Sequence, residues 1–398
     1  MTLFDPILQR ETATSQKSAS TEIVFLKAHG ILFTSRPIEE YNKCTSQLLG
    51  DGMFDGFIGR KNTKFKKIGV AVSLANAASL LEYGIPKARR GSMSILRLAL
   101  DEERAKREQK KDQMHMEMET ESTSPENYCL TPEEYQQSLE AIWHACVITF
   151  GTLEVALRRV HDKAILPMVH SYLAMIWHFC RVKKAIMHIE NSIPWAALVD
   201  YLNVHASAEI ITSEITSPTF PKATNNAIGR PLPEDFVLRG QLWTDCYFPE
   251  NWFADAGIDD EERVLELPSF HFCRLERVLW IAHNISSQRR WIWFDDLSHK
   301  FLLTEYAREL PPPQLIKQSL QPITASTDTD IVMSNTEDSN DFPDSPLKQP
   351  ASFNPSKPEN EKTKSTKKIG PTGFPIILKR ELGHMEMTEI IHVKQEQN

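Results

Sequence analysis

Five cations, Arg60, Lys61, Lys64, Lys66 and Lys67, follow one another closely with no acid among them, and Phe57 and Phe65 are interleaved. Like charges on a loop entering a helix suit contacts to nucleic-acid phosphates, and a neighbouring ring can stack on a base. The same residues also fit a solvated helix entry whose phenylalanines turn into the core. Two further patches, Arg158, Arg159, Lys163 and Arg181, Lys183, Lys184, end consecutive helical patterns, and antiparallel packing of those helices is expected to bring them together. Arg89, Arg90 and Arg97 form a weaker one. Trp243, Tyr247, Phe248, Trp252 and Phe253 have the look of a stacking platform, but their spacing fits a helix end tucked under a turn, which assigns them to the core. Trp195 and Trp280 are expected to clamp the last helices together.

An enzyme reading is also open. His144, His161-Asp162 and Asp200 fall in the order that metal-dependent HD phosphohydrolases use, with imidazoles and carboxylates around a divalent ion. Three such residue types arise easily by chance in a chain with 13 histidines, and Arg158 and Arg159 beside them repel a cation, so this stays a remote alternative. There is no HExxH, P-loop, nucleophile elbow or kinase set. Six widely spaced cysteines without a CxxC pair point to a reduced, intracellular chain without a zinc site. No metal or cofactor is expected. A formal net charge of -8 argues against nonspecific coating of nucleic acid, so any contact must come from local patches. The N-terminus shows no charged-then-apolar signal segment, and no apolar run of membrane-spanning length is expected.

The elements that must position these residues are helical. Residues 21–33, 37–49 and 64–83 carry helical periodicity, the third through Ile68, Ala71, Ala75, Ala78 and Leu81. A charged helix runs on from Arg90, loses its apolar period at Lys106, and gives way to a disordered or weakly helical insertion at about 109–127. Thr131-Pro132-Glu133-Glu134 is a capping box. It opens a helix with Tyr135, Leu139, Ile142, Cys146, Phe150, Leu153, Leu157 and Val160 on one face. Pro167 starts a helix apolar on two sides, the expected centre of the core. Ser192 ahead of Pro194, and Leu232-Pro233-Glu234-Asp235, are further helix starts. Residues 209–230 form a long loop. No alternating strand pattern is evident. Pro311-Pro312-Pro313 closes a domain of residues 1–310, and residues 311–398 form a disordered Pro-rich tail. The tail carries Lys379 and Lys394 in sumoylation-like patterns, Ser345-Pro346, and lysines at 362, 364, 367 and 368 that fit a weak nuclear import signal.

Residues 192–285 resemble the telomerase-binding and nonsense-mediated mRNA decay family, the Ever Shorter Telomeres and Smg proteins, and with a second set upstream the resemblance spans about residues 2–300. The resemblance rests on Ile193-Pro194-Trp195, Leu232-Pro233-Glu234-Asp235-Phe236, Arg239-Gly240 with Leu242-Trp243, Tyr247-Phe248-Pro249, Trp252-Phe253 and Arg274-Leu275-Glu276-Arg277-Val278-Leu279-Trp280. A second set lies upstream: Thr2-Leu3-Phe4-Asp5-Pro6, Lys27-Ala28-His29-Gly30-Ile31-Leu32-Phe33, Ile58-Gly59-Arg60 and Leu80-Leu81-Glu82-Tyr83-Gly84. It implies an all-α fold of stacked antiparallel helical hairpins of tetratricopeptide-like, α-solenoid type. It further implies a non-enzymatic scaffold in nucleus or cytoplasm, binding RNA or single-stranded telomeric DNA together with telomerase or mRNA-decay proteins. By the same resemblance the chain lacks a preceding phosphoserine-binding module and any PIN nuclease, and neither activity is carried over. The nucleic-acid contacts expected are Arg60, Lys61, Lys64, Lys66, Lys67, Arg158, Arg159, Lys183 and Lys184. The structural signature is Pro194, Trp195, Pro233, Asp235, Arg239, Gly240, Trp243, Trp252 and Trp280. A pure protein-protein adaptor is the alternative.

Overall fold

The computed structural model describes residues 20–34, 38–84, 94–115, 130–206, 213–221, 230–244, 246–254 and 262–312, all within one compact unit. The segment Thr2 to Pro6, Arg89, Arg90, residues 116–127 of the expected insertion and the tail beyond 312 lie outside the described residues.

The described chain is mostly helical. Its helices are α1 (Thr21–Thr34), α2 (Ile38–Thr45, prolonged by a π turn over Ser46–Gly50), α3 (Met53–Lys61), α4 (Phe65–Leu80), α5 (Ile95–His115), α6 (Pro132–Leu157), α7 (Leu166–Cys180), α8 (Lys183–Ile186), α9 (Trp195–His205), α10 (Ser213–Thr216), α11 (Pro233–Leu238) and α12 (Phe270–Ser286). A hairpin of β1 (Ile292–Asp295) and β2 (Lys300–Leu303) follows, then α13 (Glu305–Glu309).

Helix α7 is the centre, because apolar residues on both its faces leave only Trp177 outside the buried set. It packs against α4 on one side and α12 on the other. The break after Cys180, with α8 restarting at Lys183, splits what the sequence pattern carries through to Ile189. Helix α6 begins with the expected box: the Glu134 N–H donates to the Thr131 hydroxyl at 3.2 Å, and the Thr131 N–H to the Glu134 carboxylate at 3.0 Å. This 26-residue helix is long and apolar enough to cross a membrane, contrary to expectation; 56% of its most apolar window is buried within the protein, as in a core helix.

Four local expectations are revised. Arg60 and Lys61 stand on the last turn of α3 rather than on a loop. Helix α5 continues through the charged run to His115, past Lys106, where the sequence loses its apolar period. Helix α9 starts at Trp195 with Pro194 as its flanking residue and no side-chain cap from Ser192. The hairpin replaces an expected absence of strands; Ile292 pairs with Leu303 and Asp295 with Lys300. The Asn203 amide on α9 reads the β2 edge, donating to the Phe301 carbonyl and accepting from the Phe301 N–H, both at 2.8 Å. That satisfies an edge whose backbone groups otherwise lack partners.

Part of the 209–230 loop also belongs to the core. Ile215 on α10 is buried, Ser217 accepts the Trp280 indole N–H at 2.9 Å, and Arg277 lies 3.9 Å over the Phe220 ring.

Candidate nucleic-acid interface

The buried stripe of α4 differs from the expected one. Phe65, Gly69, Val72, Asn76 and Ser79 face inward, while Ala71 is exposed. Gly69 is required there: a Cβ would stand 2.9 Å from the Met168 Cβ of α7. Asn76 then enters the core and must be satisfied. Its amide donates to Thr152 at 2.9 Å and Tyr172 at 2.5 Å, and its carbonyl oxygen faces the His29 Nε2 at 3.0 Å. Tyr83 meets the other nitrogen of His29 at 2.8 Å. Burial holds this imidazole neutral, down at about 4.

A second buried network lies across α7. Arg274 of α12 clamps Glu234 with two bonds of 2.7 and 2.9 Å and reaches Glu266 at 2.6 Å. His170 lies 3.0 Å from Glu234 and 2.6 Å from the Tyr247 hydroxyl. Burial by itself raises the Glu234 carboxyl; the His170 hydrogen bond and the Arg274 charge outweigh it and hold it at about 2. Asp235 accepts the Leu232 N–H at 3.0 Å as a first-turn cap and the Trp252 indole N–H at 3.2 Å, with Arg277 at 3.5 Å. These acids open α11 as the sequence pattern expects. The pattern did not reveal the buried cations that meet them, Arg274 clamping Glu234 and Arg277 near Asp235.

The rest of the signature set is also interior or at turns. Trp195 stacks on Trp291 at 5.2 Å, and Trp280 meets Trp177 edge-on at 5.1 Å. Trp243, Tyr247 and Trp252 are buried, and Phe248 and Phe253 partly so. Arg239 covers the Phe253 ring at 4.8 Å, and Gly240 turns the chain at φ +83°.

The basic residues are mostly braced by acids from elsewhere in the chain. Lys61 binds Glu22 and Lys66 binds Glu266, each at 2.7 Å. Arg159 bridges Asp55 and Asp162 at 2.9 Å, Arg158 pairs with Glu154, and Lys184 holds Glu102 at 2.8 Å. Arg97 pairs with Asp101. Phe57 and Phe65 are buried in the core, which removes them as base-stacking rings. Arg60, Lys64 and Lys67 are exposed and pair with no carboxylate among the described residues; Arg60 donates only to the Thr21 hydroxyl, at 3.2 Å. Beside them a cleft of about 820 Å³ is lined by Thr21, Glu22, Asp51, Phe57, Arg60 and Lys61 among others.

The two secondary patches do not meet. Tyr135 at the start of α6 contacts His188, just beyond α8, whereas Arg158 and Arg159 follow the other end of α6, about 35 Å of helix away. The HD set is dispersed for a similar reason. His144 lies about 20 Å of helix from the end of α6, where His161 and Asp162 stand. Among the described residues no group of three or more His, Cys, Asp or Glu is placed to hold a metal ion.

Comparison of the chain with protein-family models, curated proteins and solved structures finds no match.

Proposed function

We propose that this chain is a non-enzymatic helical scaffold of the telomerase-binding and mRNA-decay type, built from stacked antiparallel hairpins, that contacts single-stranded RNA or DNA through the turn joining α3 and α4. The observation that carries the reading is the convergence of the segments bearing the resemblance. His29 and Tyr83 from the upstream set meet in one buried network, and Glu234, Asp235, Trp252, Arg274 and Arg277 from the downstream set meet in another. Residues matched far apart in sequence thus form continuous physical units, which supports the reading. Arg60, Lys64 and Lys67 supply the contact, since cations not engaged by carboxylates are the ones available for phosphates.

The engagement of Lys61, Lys66, Arg158, Arg159 and Lys184 by acids favours a second reading, an adaptor that binds proteins alone. Fluorescence anisotropy of the full chain with labelled single-stranded RNA and DNA separates the two. Three phosphate contacts give a log affinity against log salt slope of about −2, abolished in the Arg60→Ala, Lys64→Ala, Lys67→Ala triple variant. No binding by a folded protein leaves the adaptor.

A further inference from the structure

A second polar site lies beside that turn, where the connection from α6 to α7 faces α9 and α12. A hollow of about 140 Å³ there is lined by Val160, His161, Asp162, Lys163, Leu166, Tyr201, His205 and His271. Its composition is unusual for so small a space: three imidazoles, an ammonium and a phenol against one carboxylate. That carboxylate is already satisfied, since Asp162 accepts from the Arg159 guanidinium and from the Ala164 N–H, each at 2.9 Å. Tyr201 is 1% exposed, yet its hydroxyl makes no hydrogen bond to any described residue. The hydroxyl oxygen is not among the buried polar atoms left without a partner, so it opens into the hollow, where it can donate to a ligand. Tyr201 packs on His205 with ring centroids 4.8 Å apart, and the Nε2–H of His205 donates to the Val160 carbonyl at 2.9 Å, which fixes the ring.

We propose that this hollow binds one small oxyanion of the phosphate class, through the Tyr201 hydroxyl, the Lys163 ammonium and the imidazoles of His161, His205 and His271. A phosphate-sized group fits the volume, and donors converge on it from three elements. The charges acting on His271 are positive, and the Asp162 carboxylate acts on Tyr201. His271 is held low first by burial, then by Lys163, His205, Lys66 and Arg274; His205 is held low by burial, and His161 adds to this against the Val160 bond. Lys66 and Arg274 are balanced by Glu266 and Glu234, while Arg159 faces both Asp55 and Asp162, so Lys163 stands against the one carboxylate charge left over. A bound dianion relieves the mutual repulsion of the imidazoles and favours their protonation. A transition metal is a poor alternative, because these histidines form no metal-ligand group and cations surround them. The hollow neighbours the α3–α4 turn, whose Asn62–Lys64 segment packs on Lys163–Ile165, but it is lined by different residues from Arg60, Lys64 and Lys67.

Isothermal titration of the full chain with sodium sulfate and with inorganic phosphate, at ionic strength held constant with chloride, tests it. Sulfate stays doubly charged from pH 5 to 8, so its pH dependence reports the protein groups alone. Saturable one-to-one binding that tightens as pH falls is expected. Tyr201→Phe and Lys163→Ala are each expected to weaken it about fivefold or more, the loss of one hydrogen bond. Tyr201→Phe removes a hydroxyl with no protein partner, so its melting temperature without ligand should match the parent's, and Lys43→Ala serves as the control that leaves binding unchanged. A 5′-phosphorylated trinucleotide that binds better than its 5′-hydroxyl form assigns the site to a nucleic-acid end; equal behaviour with tight inorganic phosphate assigns it to the free ion. Non-saturable heats, binding unchanged in both variants, or stoichiometric zinc uptake with no anion binding would overturn the proposal.

Discussion

Replacing Arg274 by Met tests the buried charge network most directly. Methionine keeps the length and apolar bulk of the side chain and removes only the guanidinium. Glu234, also buried, then keeps the His170 hydrogen bond and loses two charged ones. Stranding one member of a buried ion pair costs about 3–5 kcal/mol, a large share of the roughly 5–15 kcal/mol that holds a domain folded. The pH dependence carries the sharper test. In the parent, the Glu234 carboxyl is held at about 2 against an ordinary 4.5, so its contribution of roughly 3 kcal/mol is present above pH 4.5 and disappears as pH falls toward 2. In the variant, burial dominates and the carboxyl rises above its unfolded value, so stability falls as pH increases through that range. The deficit is therefore greatest near neutrality and shrinks in mild acid. Urea unfolding followed by tryptophan fluorescence and circular dichroism, near pH 7 and near pH 5, measures it. A loss under about 1 kcal/mol at neutral pH, or one equal at both pH values, refutes the account of a desolvated carboxylate held by Arg274.

Three further outcomes follow from the core. Asn76→Ala strips the His29 Nε2 of its partner, leaves Tyr172 with Thr152 alone and opens a small cavity, so it is expected to destabilise by about 2–4 kcal/mol in equilibrium unfolding. His29 is buried neutral at about 4 against an ordinary 6.5. The parent should therefore lose roughly 3 kcal/mol as pH falls from 6.5 to 4, and a His29→Gln variant should show a flatter pH profile of melting temperature over that window. Gly69→Ala gains about 1 kcal/mol of helix propensity, but its new methyl meets the Met168 Cβ at 2.9 Å, an atom that moves only with its backbone. Overpacking of about 1–3 kcal/mol wins, and the midpoint of urea unfolding should drop.

What the amino-acid sequence determined by itself was local. The Thr131 capping box, the Pro233 start of α11 with Asp235 returning to Leu232, and the double apolar face of α7 are encoded by neighbours a few residues apart. Periodicity and capping chemistry act over that range, so they are readable without a fold. The burial of Phe57 and Phe65 was one of the two readings their pattern allowed.

The tertiary structure decided everything that depends on partners from elsewhere in the chain. Lys66 reads as a surface cation until Glu266, 200 positions later, is placed beside it. Arg274 reads as part of a helix motif until α11 brings Glu234 against it. Asn76 and Gly69 interrupt an apolar pattern, which pointed to Ala75 and Ile68, one position away, as the buried stripe; close approach of α7 and a polar network spanning α1, α4, α6 and α7 put them inside instead. The histidine hollow left no trace in spacing, since His161, Tyr201 and His271 come from three separate segments. Charge pairing and desolvation depend on distances through space, and those distances exist only once the helices have packed.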